Sequence, residues 1–458
     1  MSQADNNSKI GYNTLIVRKI LVKFVLLYFR VLAKVQLKKI NPIIIGVGGA
    51  SGKTSLSGLI FLILKEKYKV KQGMGKNSET GLPLNILGIS INNYSAFDWL
   101  KAFTLAPFKV IFDWNNYDIY VAEMGIDGPF EPKNMSYLLK ILKPQIGVLT
   151  NISLEHSQYF DTLVKDIFSE EREKEILDQT ARQESLLITS LAKDQTAVIN
   201  ADDSQTQKYL DKIKANVVTV SISNSKADFF AKNIETSINS FKVNFYHNKK
   251  NYNINLNTPL PNHYAYSFLL AIAVCTKLGF SEEEAIKALE KNFLLPPGRM
   301  SVFEGVKNAT IIDSSYNSSP LPLLDMLDFL KSREAKRKVV ILGDMRELGI
   351  LSKKFHEEAA DKILKTANAA ILIGPLMKDY AYPVLKTNNF KVESFDNFTQ
   401  AKDSIQNLIE EEDLIFVKGS QNTLFLERIV EMLLKNPKDK EKLCRRGEFW
   451  DKKREESL

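Results

Sequence analysis

Asn41 to Thr54, NPIIIGVGGASGKT, constrains this chain more than any other stretch, because an apolar run breaks into four glycines and ends in Gly-Lys-Thr. Glycine lets a backbone turn tightly enough for its N–H groups to converge on an anion. Gly46, Gly48, Gly49 and Gly52 supply that freedom here, between a strand at Ile43–Ile45 and a helix over Thr54–Lys67. Lys53 then reaches β/γ-phosphates, Thr54 offers a hydroxyl to Mg²⁺, and the helix puts its positive end under the anion. The pattern is G-x-x-G-x-x-G-K-T, since the first glycine of the strict phosphate-loop motif would fall on Val47. Gly49, Ser51, Gly52, Lys53, Thr54 and Ser55 are the candidate contacts to ATP.

The 458 residues suffice for two or three domains with full cores, and 44% apolar with 25% charged residues is the balance of a soluble protein. Two distant cysteines, Cys275 and Cys444, cannot form a C-x-x-C metal site, so the chain reads as reduced and cytoplasmic. Net charge is +8. Seven basic residues and no acidic one lie between Arg18 and Lys39, interleaved with Leu, Ile, Val and Phe. The longest apolar run there, Phe24–Phe29, is far short of a membrane span, and no signal-peptide cleavage site follows. Two readings stand: a helix packed on the body of the protein, or a basic amphipathic helix whose residues 15–39 rest on an anionic membrane. The tail from Lys435 to Leu458 is charged and expected to be loosely ordered, with no nucleic-acid partner.

Strand-like runs at Ile43–Val47, Ile119–Glu123, Ile146–Thr150 and Ala197–Asn200 alternate with helical stretches, which predicts a parallel, doubly wound sheet. Period-two patterning from Val217 to Leu256 predicts antiparallel strands. After Pro296–Arg299 the alternation restarts with Ala309–Asp313, Lys338–Leu342, Ala369–Ile373 and Leu414–Val417. The expected fold is α/β: a basic N-terminal helix over 1–41, a P-loop ATPase domain over 42–296, a smaller Rossmann-like domain over 297–436 and a charged tail over 437–458.

Glu123 ends a predicted strand, at the edge where open α/β sheets bind ligands, and a carboxylate there can share Mg²⁺ with Thr54. His156 follows the next strand end, Thr150-Asn151. With these residues in view, the chain resembles the Mur ligases from about Pro42 to Met432, and most of all their D-alanyl-D-alanine-adding branch. GVGGASGKTS, GKNSETGLPLNILG, YVAEMGIDG, NISLEHSQYF, AVINADD, PPGRM, IIDSSYNSSP, VVILGDMRELG with His356-Glu357, and IFVKGSQN follow in family order. The resemblance implies an ADP-forming ligase that activates a peptide carboxylate as an acyl phosphate and joins it to D-Ala-D-Ala, acting on a UDP-muramoyl-peptide as a monomer. It implies that Lys53, Glu123 and His156 are catalytic and that Thr54, Glu123 and His156 hold Mg²⁺. Arg299, Asp313 and Tyr316 would face the nucleotide. Asn77, Ser78, Glu79, Asn317, Asp344, Met345, Glu347, Lys418 and Ser420 would line the substrate side.

Three departures qualify the resemblance. The family's carbamylated lysine, a metal ligand, lies sixteen residues before the asparagine of the N-x-D-D turn; here that count back from Asn200 gives Glu184. Glu184 is therefore expected to replace the modified lysine as metal ligand and catalytic residue, with Lys174 as the alternative. On the adenine side His263 matches, but Ser267 stands where the family has asparagine, and Asn262 could compensate. Third, only 41 residues precede Pro42, where this branch normally carries a UDP-binding domain. Uridine recognition is then expected to be rebuilt elsewhere, supplied by a partner, or not needed. Other acid and amine pairs of the superfamily, as in cyanophycin-synthetase-like or polyglutamate-adding enzymes, and a nucleotide-binding scaffold subunit are the competing readings.

Overall fold

A sheet covered on both faces buries four or five consecutive apolar residues of a strand, and the short apolar runs between turns in this chain become such parallel strands. The computed structural model describes residues 4–73, 75–91, 95–154, 157–164, 171–420 and 424–455. Grouped by contacts, the chain forms two units that interleave in sequence. One is Met1–Ser153, Asp178–Ser221 and Ser267–Ala285; the other is Leu154–Leu177, Ile222–Tyr266 and Ile286–Leu458.

The first unit holds β1 (Ile43–Gly48), β2 (Val70–Gln72), β3 (Ile119–Glu123), β4 (Ile146–Leu149), β5 (Thr196–Asn200) and β6 (Asn216–Ser221), all parallel, in the order β2-β3-β1-β4-β5-β6. The chain leaves β1 toward β2 and β3 on one side and later turns to β4 on the other. The carboxyl end of β1 is therefore a topological switch point, where such sheets bind ligands. Within the stretch of period-two patterning β6 pairs parallel with β5, whereas β7, β8 and β9 pair antiparallel with one another.

Helix α1 (Ala4–Ile40) packs on the short helix Gly81–Ile86 and on α3 (Ala96–Phe112), while α2 (Lys53–Leu64) follows β1. Leu26, Phe29, Ala33 and Leu37 recur at helical spacing and are buried. Rings of Tyr28 and Phe103 stack at 4.6 Å, the Tyr28 hydroxyl donates to the Phe103 carbonyl (2.8 Å), and Lys39 Nζ donates to the carbonyls of Val110 (2.6 Å) and Asp113 (2.7 Å). The packed-helix reading of the N-terminus is thus observed. Among the described residues no helix is long and apolar enough to cross a membrane.

In the second unit β7 (Phe229–Thr236), β8 (Phe241–His247) and β9 (Lys250–Leu256) form an antiparallel meander. A six-stranded sheet follows from β10 (Ser301–Glu304), β11 (Thr310–Ser314), β12 (Lys338–Gly343), β13 (Ala369–Ile373), β14 (Val392–Phe395) and β15 (Leu414–Lys418). Its order is β10-β11-β15-β12-β13-β14, antiparallel only at β10. β15 returns to the middle, so the ends of β11, β15 and β12 lie side by side.

The tail is not loose. Arg445 and Glu427 form a fully buried ion pair at 2.8 Å, and Arg445 also donates to the carbonyls of Ser315 and Tyr316. Charged composition pointed to solvent, yet each of these charges finds its partner eighteen residues away along the chain. Arg445→Ala should strand Glu427 and lower the urea midpoint by the equivalent of about 3–5 kcal/mol; an unchanged midpoint would return the tail to a solvated appendage.

Candidate active site

The phosphate loop is tied down by its neighbours at the switch point. Asn151, just past β4, accepts the Ala50 N–H on its carbonyl (2.8 Å) and the Ser51 N–H on Oδ1 (3.1 Å), while Thr150 Oγ1 donates to the Ser51 carbonyl (2.8 Å). The Gly49 N–H goes to Glu184 Oε2 at 3.0 Å. Three loop donors are thus spent on the scaffold. Gly52, at φ 80°, turns the chain into α2 with no side-chain cap among the described residues, so the donors left for phosphate come from Gly52, Lys53, Thr54 and Ser55. This corrects the expectation for Gly46 and Gly48. They lie within β1, where a Cβ at Gly46 would stand 2.8 Å from Met124 and from Pro144 and 2.9 Å from Leu187, and one at Gly48 2.7 Å from Leu187 of α4 (Arg172–Thr189), so both are glycine where neighbouring side chains close on the strand.

Lys53 folds over the loop, with Nζ donating to the carbonyls of Gly49 (2.5 Å) and Ala50 (2.6 Å). Thr54 Oγ1 donates to Glu123 Oε1 at 2.8 Å, and Glu123, 3% exposed, also takes the Asn77 amide (3.5 Å) and the Gly75 N–H (3.4 Å). A hydroxyl and a carboxylate are the hard oxygen donors that Mg²⁺ accepts while keeping its own waters, so the pair fits that ion. Among the described residues no group of three or more His, Cys, Asp and Glu is placed to hold a metal, and His156 lies outside the described residues. Glu184 is buried at the loop, whereas Lys174 is exposed ten residues earlier on α4, about 15 Å along a helix. Of the two candidates, Glu184 is the one beside the loop. Ser267 also arrives there on α5 (Tyr264–Thr276), its Oγ 3.9 Å from where a Cβ at Gly52 would stand. Ser78 accepts the Gly81 N–H (3.1 Å) at the start of its helix, and Glu79 is half-buried nearby in sequence.

The second unit gathers most of its candidate residues at the ends of β11, β15 and β12. Asp313 is fully buried; Oδ1 accepts the Ser315 N–H (2.9 Å), Oδ2 has no partner among the described residues, and burial pushes its carboxyl upward against Ser315 and Arg445. The Ser318 and Ser420 hydroxyls are likewise buried without partners among the described residues, a pattern that suits a polar ligand. Lys418 Nζ donates to the Asn317 carbonyl at 2.7 Å. The Tyr316 N–H bonds to the Gly298 carbonyl (3.1 Å), which lays the Arg299 guanidinium 4.7 Å over the Tyr316 ring. Asn262 is exposed and His263 Nδ1 stands 3.0 Å from Asp325 Oδ2 without hydrogen-bond geometry.

Asp344 leaves β12 buried, its Oδ1 accepting the Met377 N–H at 2.8 Å. Gly374, at φ 109°, is required there, because any side chain would begin inside the Asp344 carboxylate. Met345 is held by its N–H to His356 Nε2 (3.1 Å), and His356 Nδ1 lies 2.6 Å from the Ser352 carbonyl, so the buried ring is neutral with its proton on Nδ1. Glu347 takes a left-handed φ of 63° in the turn that follows. Gly374 and the orienting role of His356 escaped the sequence; the one signal available was a glycine directly after a strand. Burial raises the Asp344 carboxyl from 3.8 to about 6. The folded state therefore binds this proton more tightly than the unfolded chain: its stabilisation is complete below 3.8 and lost as pH rises through about 6. Asp344→Asn should be the more stable protein at pH 8 by up to about 3 kcal/mol, a gain that vanishes by about pH 4. Equal unfolding midpoints at pH 8 would contradict it.

Comparison with known proteins agrees with this geometry. The Mur ligase middle domain profile matches residues 47–275 and the Mur ligase, glutamate ligase domain profile matches 298–421. The UDP-N-acetylmuramoyl-tripeptide–D-alanyl-D-alanine ligase of Rickettsia prowazekii is 27% identical over 84% of this chain and 77% of its own; that of Bacillus subtilis is 27% identical over 91% and 81%. In fold, MurF from Acinetobacter baumannii superposes with a TM-score of 0.71 at 19% identity, covering 90% of this chain and 81% of that one. MurF ligase from Thermotoga maritima, solved in complex with ADP, gives 0.68 at 22% identity, covering 88% and 83%. The expected α/β class holds, and the chain belongs to the Mur ligase family.

Proposed function

We propose that the chain is an ATP-dependent, ADP-forming ligase of peptidoglycan precursor synthesis that joins D-alanyl-D-alanine to a UDP-muramoyl-peptide through an acyl phosphate. The observation that carries this reading is the uncapped start of α2, with Lys53 folded over it and the Thr54–Glu123 pair beside it, in a Mur-family chain whose relatives bear that ligase name. The acceptor carboxylate would attack the γ-phosphorus and release ADP; the dipeptide amine would then attack the acyl carbon, expel phosphate and lose a proton.

Phosphoryl transfer needs neutralised charge and fixed positions more than covalent help. Lys53 would exchange two loop carbonyls for phosphate oxygens, and the first-turn N–H groups of α2 would donate to the same anion. Thr54 and Glu123 would hold Mg²⁺, which supplies further charge neutralisation on the phosphates. Glu184, which accepts the Gly49 N–H, would take the place of the family's modified lysine as a ligand. Arg299, Asp313 and Tyr316 are read as nucleotide contacts. Asp344, ionised above pH 6, is suited to hold the ammonium of the incoming dipeptide. Asn77, fixed on Glu123, couples the segment Asn77–Glu79 to the same centre.

ADP release should require UDP-muramoyl-tripeptide and D-Ala-D-Ala together, and Lys53→Ala should reduce it by about a thousandfold. Glu184→Gln preserves an acceptor for the Gly49 N–H but removes the charge, so it should raise the Mg²⁺ concentration for half-maximal rate by roughly tenfold. Turnover with another acid and amine instead would move the chain to a different branch, and an unchanged Mg²⁺ curve would leave Glu184 a brace for the loop.

A further inference from the structure

Helices α1 and α3 are apolar on the face that packs and apolar again on the face that does not. In α1, Phe24, Leu27, Val31 and Val35 follow one another at three- or four-residue steps and are 46–58% exposed, on the side opposite the buried Phe29 and Ala33. In α3 the outward row, which includes Phe97, Phe108, Ile111 and Phe112, is 58–73% exposed. Thirteen of the twenty-three exposed large hydrophobic side chains among the described residues belong to these two helices and to Trp114, just beyond α3. Soluble monomers seldom leave so concentrated an apolar surface uncovered.

The two helices are held side by side and parallel, since Tyr28 meets Phe103, Gln36 donates to the Asp113 carbonyl (3.2 Å) and Lys39 reaches Val110. Lys39 also lies 4.2 Å over the ring of Trp114, which is 65% exposed. Charge decides what covers such a face. Lys23, Lys34 and Lys38 on α1 and Lys101 on α3 are exposed, and α1 has no acidic residue from Arg18 onward. The acids near α3 are spent: Asp98 closes a capping box with Ser95, and Asp113 pairs with Lys109 at 3.5 Å. Large apolar side chains among uncompensated lysines, with a tryptophan at the margin, match an anionic lipid surface, where the apolar groups enter the acyl boundary and the lysines meet headgroup phosphates.

We propose that α1 and α3 together form a docking surface for an anionic membrane and hold the first unit at the lipid face. Composition pointed only to residues 15–39; α3 and Trp114 make the surface two helices wide. The inference does not depend on the ligase reading.

Co-sedimentation of the full chain with vesicles tests it, using phosphatidylcholine alone and phosphatidylcholine with about 30 mol% phosphatidylglycerol. The chain should sediment with the anionic vesicles and stay in solution with the neutral ones. Phe108→Glu with Ile111→Glu should weaken binding at least tenfold, and Lys34→Gln with Lys101→Gln by roughly fivefold per charge removed. All four residues point outward, so melting temperatures and ADP release should match the parent chain. No binding to anionic vesicles, or binding unchanged in both variants, overturns the proposal. A dimer in light scattering that Phe108→Glu returns to monomer also overturns it, by giving the face to a second copy.

Discussion

The hydrogen bonds that spend the loop's own N–H groups on the protein, Asn151 on Ala50 and Ser51 and Glu184 on Gly49, are the constraint on which the first unit depends. A glycine-rich loop left to itself samples many shapes and loses more entropy than most segments when one is imposed. Here the shape is held by residues at the end of the neighbouring strand and on the helix behind it. What remains unsatisfied is the start of α2, and the positive end of a helix is where an anion is stabilised.

The second unit follows the opposite economy. Among the described residues Asp313, Ser318 and Ser420 keep buried polar atoms without partners, and Asp344 is held where ionisation is costly. Groups of that kind reduce stability and persist where a ligand completes them. The buried Arg445–Glu427 pair underpins this edge from below, since Arg445 also holds the carbonyls of Ser315 and Tyr316. A tail that composition assigned to solvent thus braces the loop carrying Tyr316 and Asn317.

Much of this could be read from residues in order. The parallel strands were legible because each is a short apolar run beside a turn, and Phe241–His247 because its alternation is strict. The Thr54–Glu123 pair was legible because both residues sit at strand or loop ends that topology brings together. What stayed hidden depends on three-dimensional approach. Gly46 and Gly48 look like loop glycines, yet side chains far away in sequence, Met124, Pro144 and Leu187, close on them within the strand. β6 carries the alternation of an antiparallel strand but continues the parallel series, because pairing partners, and not periodicity, set direction. The exposed face of α3 has no sequence signal separate from a buried one, since helical spacing of apolar residues is the same whichever side the core lies on.

The central claim is that phosphate meets the first turn of α2 and that a divalent cation meets Thr54 and Glu123. Anomalous diffraction from crystals grown with ADP and Mn²⁺ tests it most directly. The account predicts terminal phosphate oxygens within hydrogen-bond reach of the N–H groups of Gly52–Ser55, and a manganese peak on Thr54 Oγ1 and the Glu123 carboxylate. Phosphates bound away from α2, or manganese held by neither residue, would contradict it.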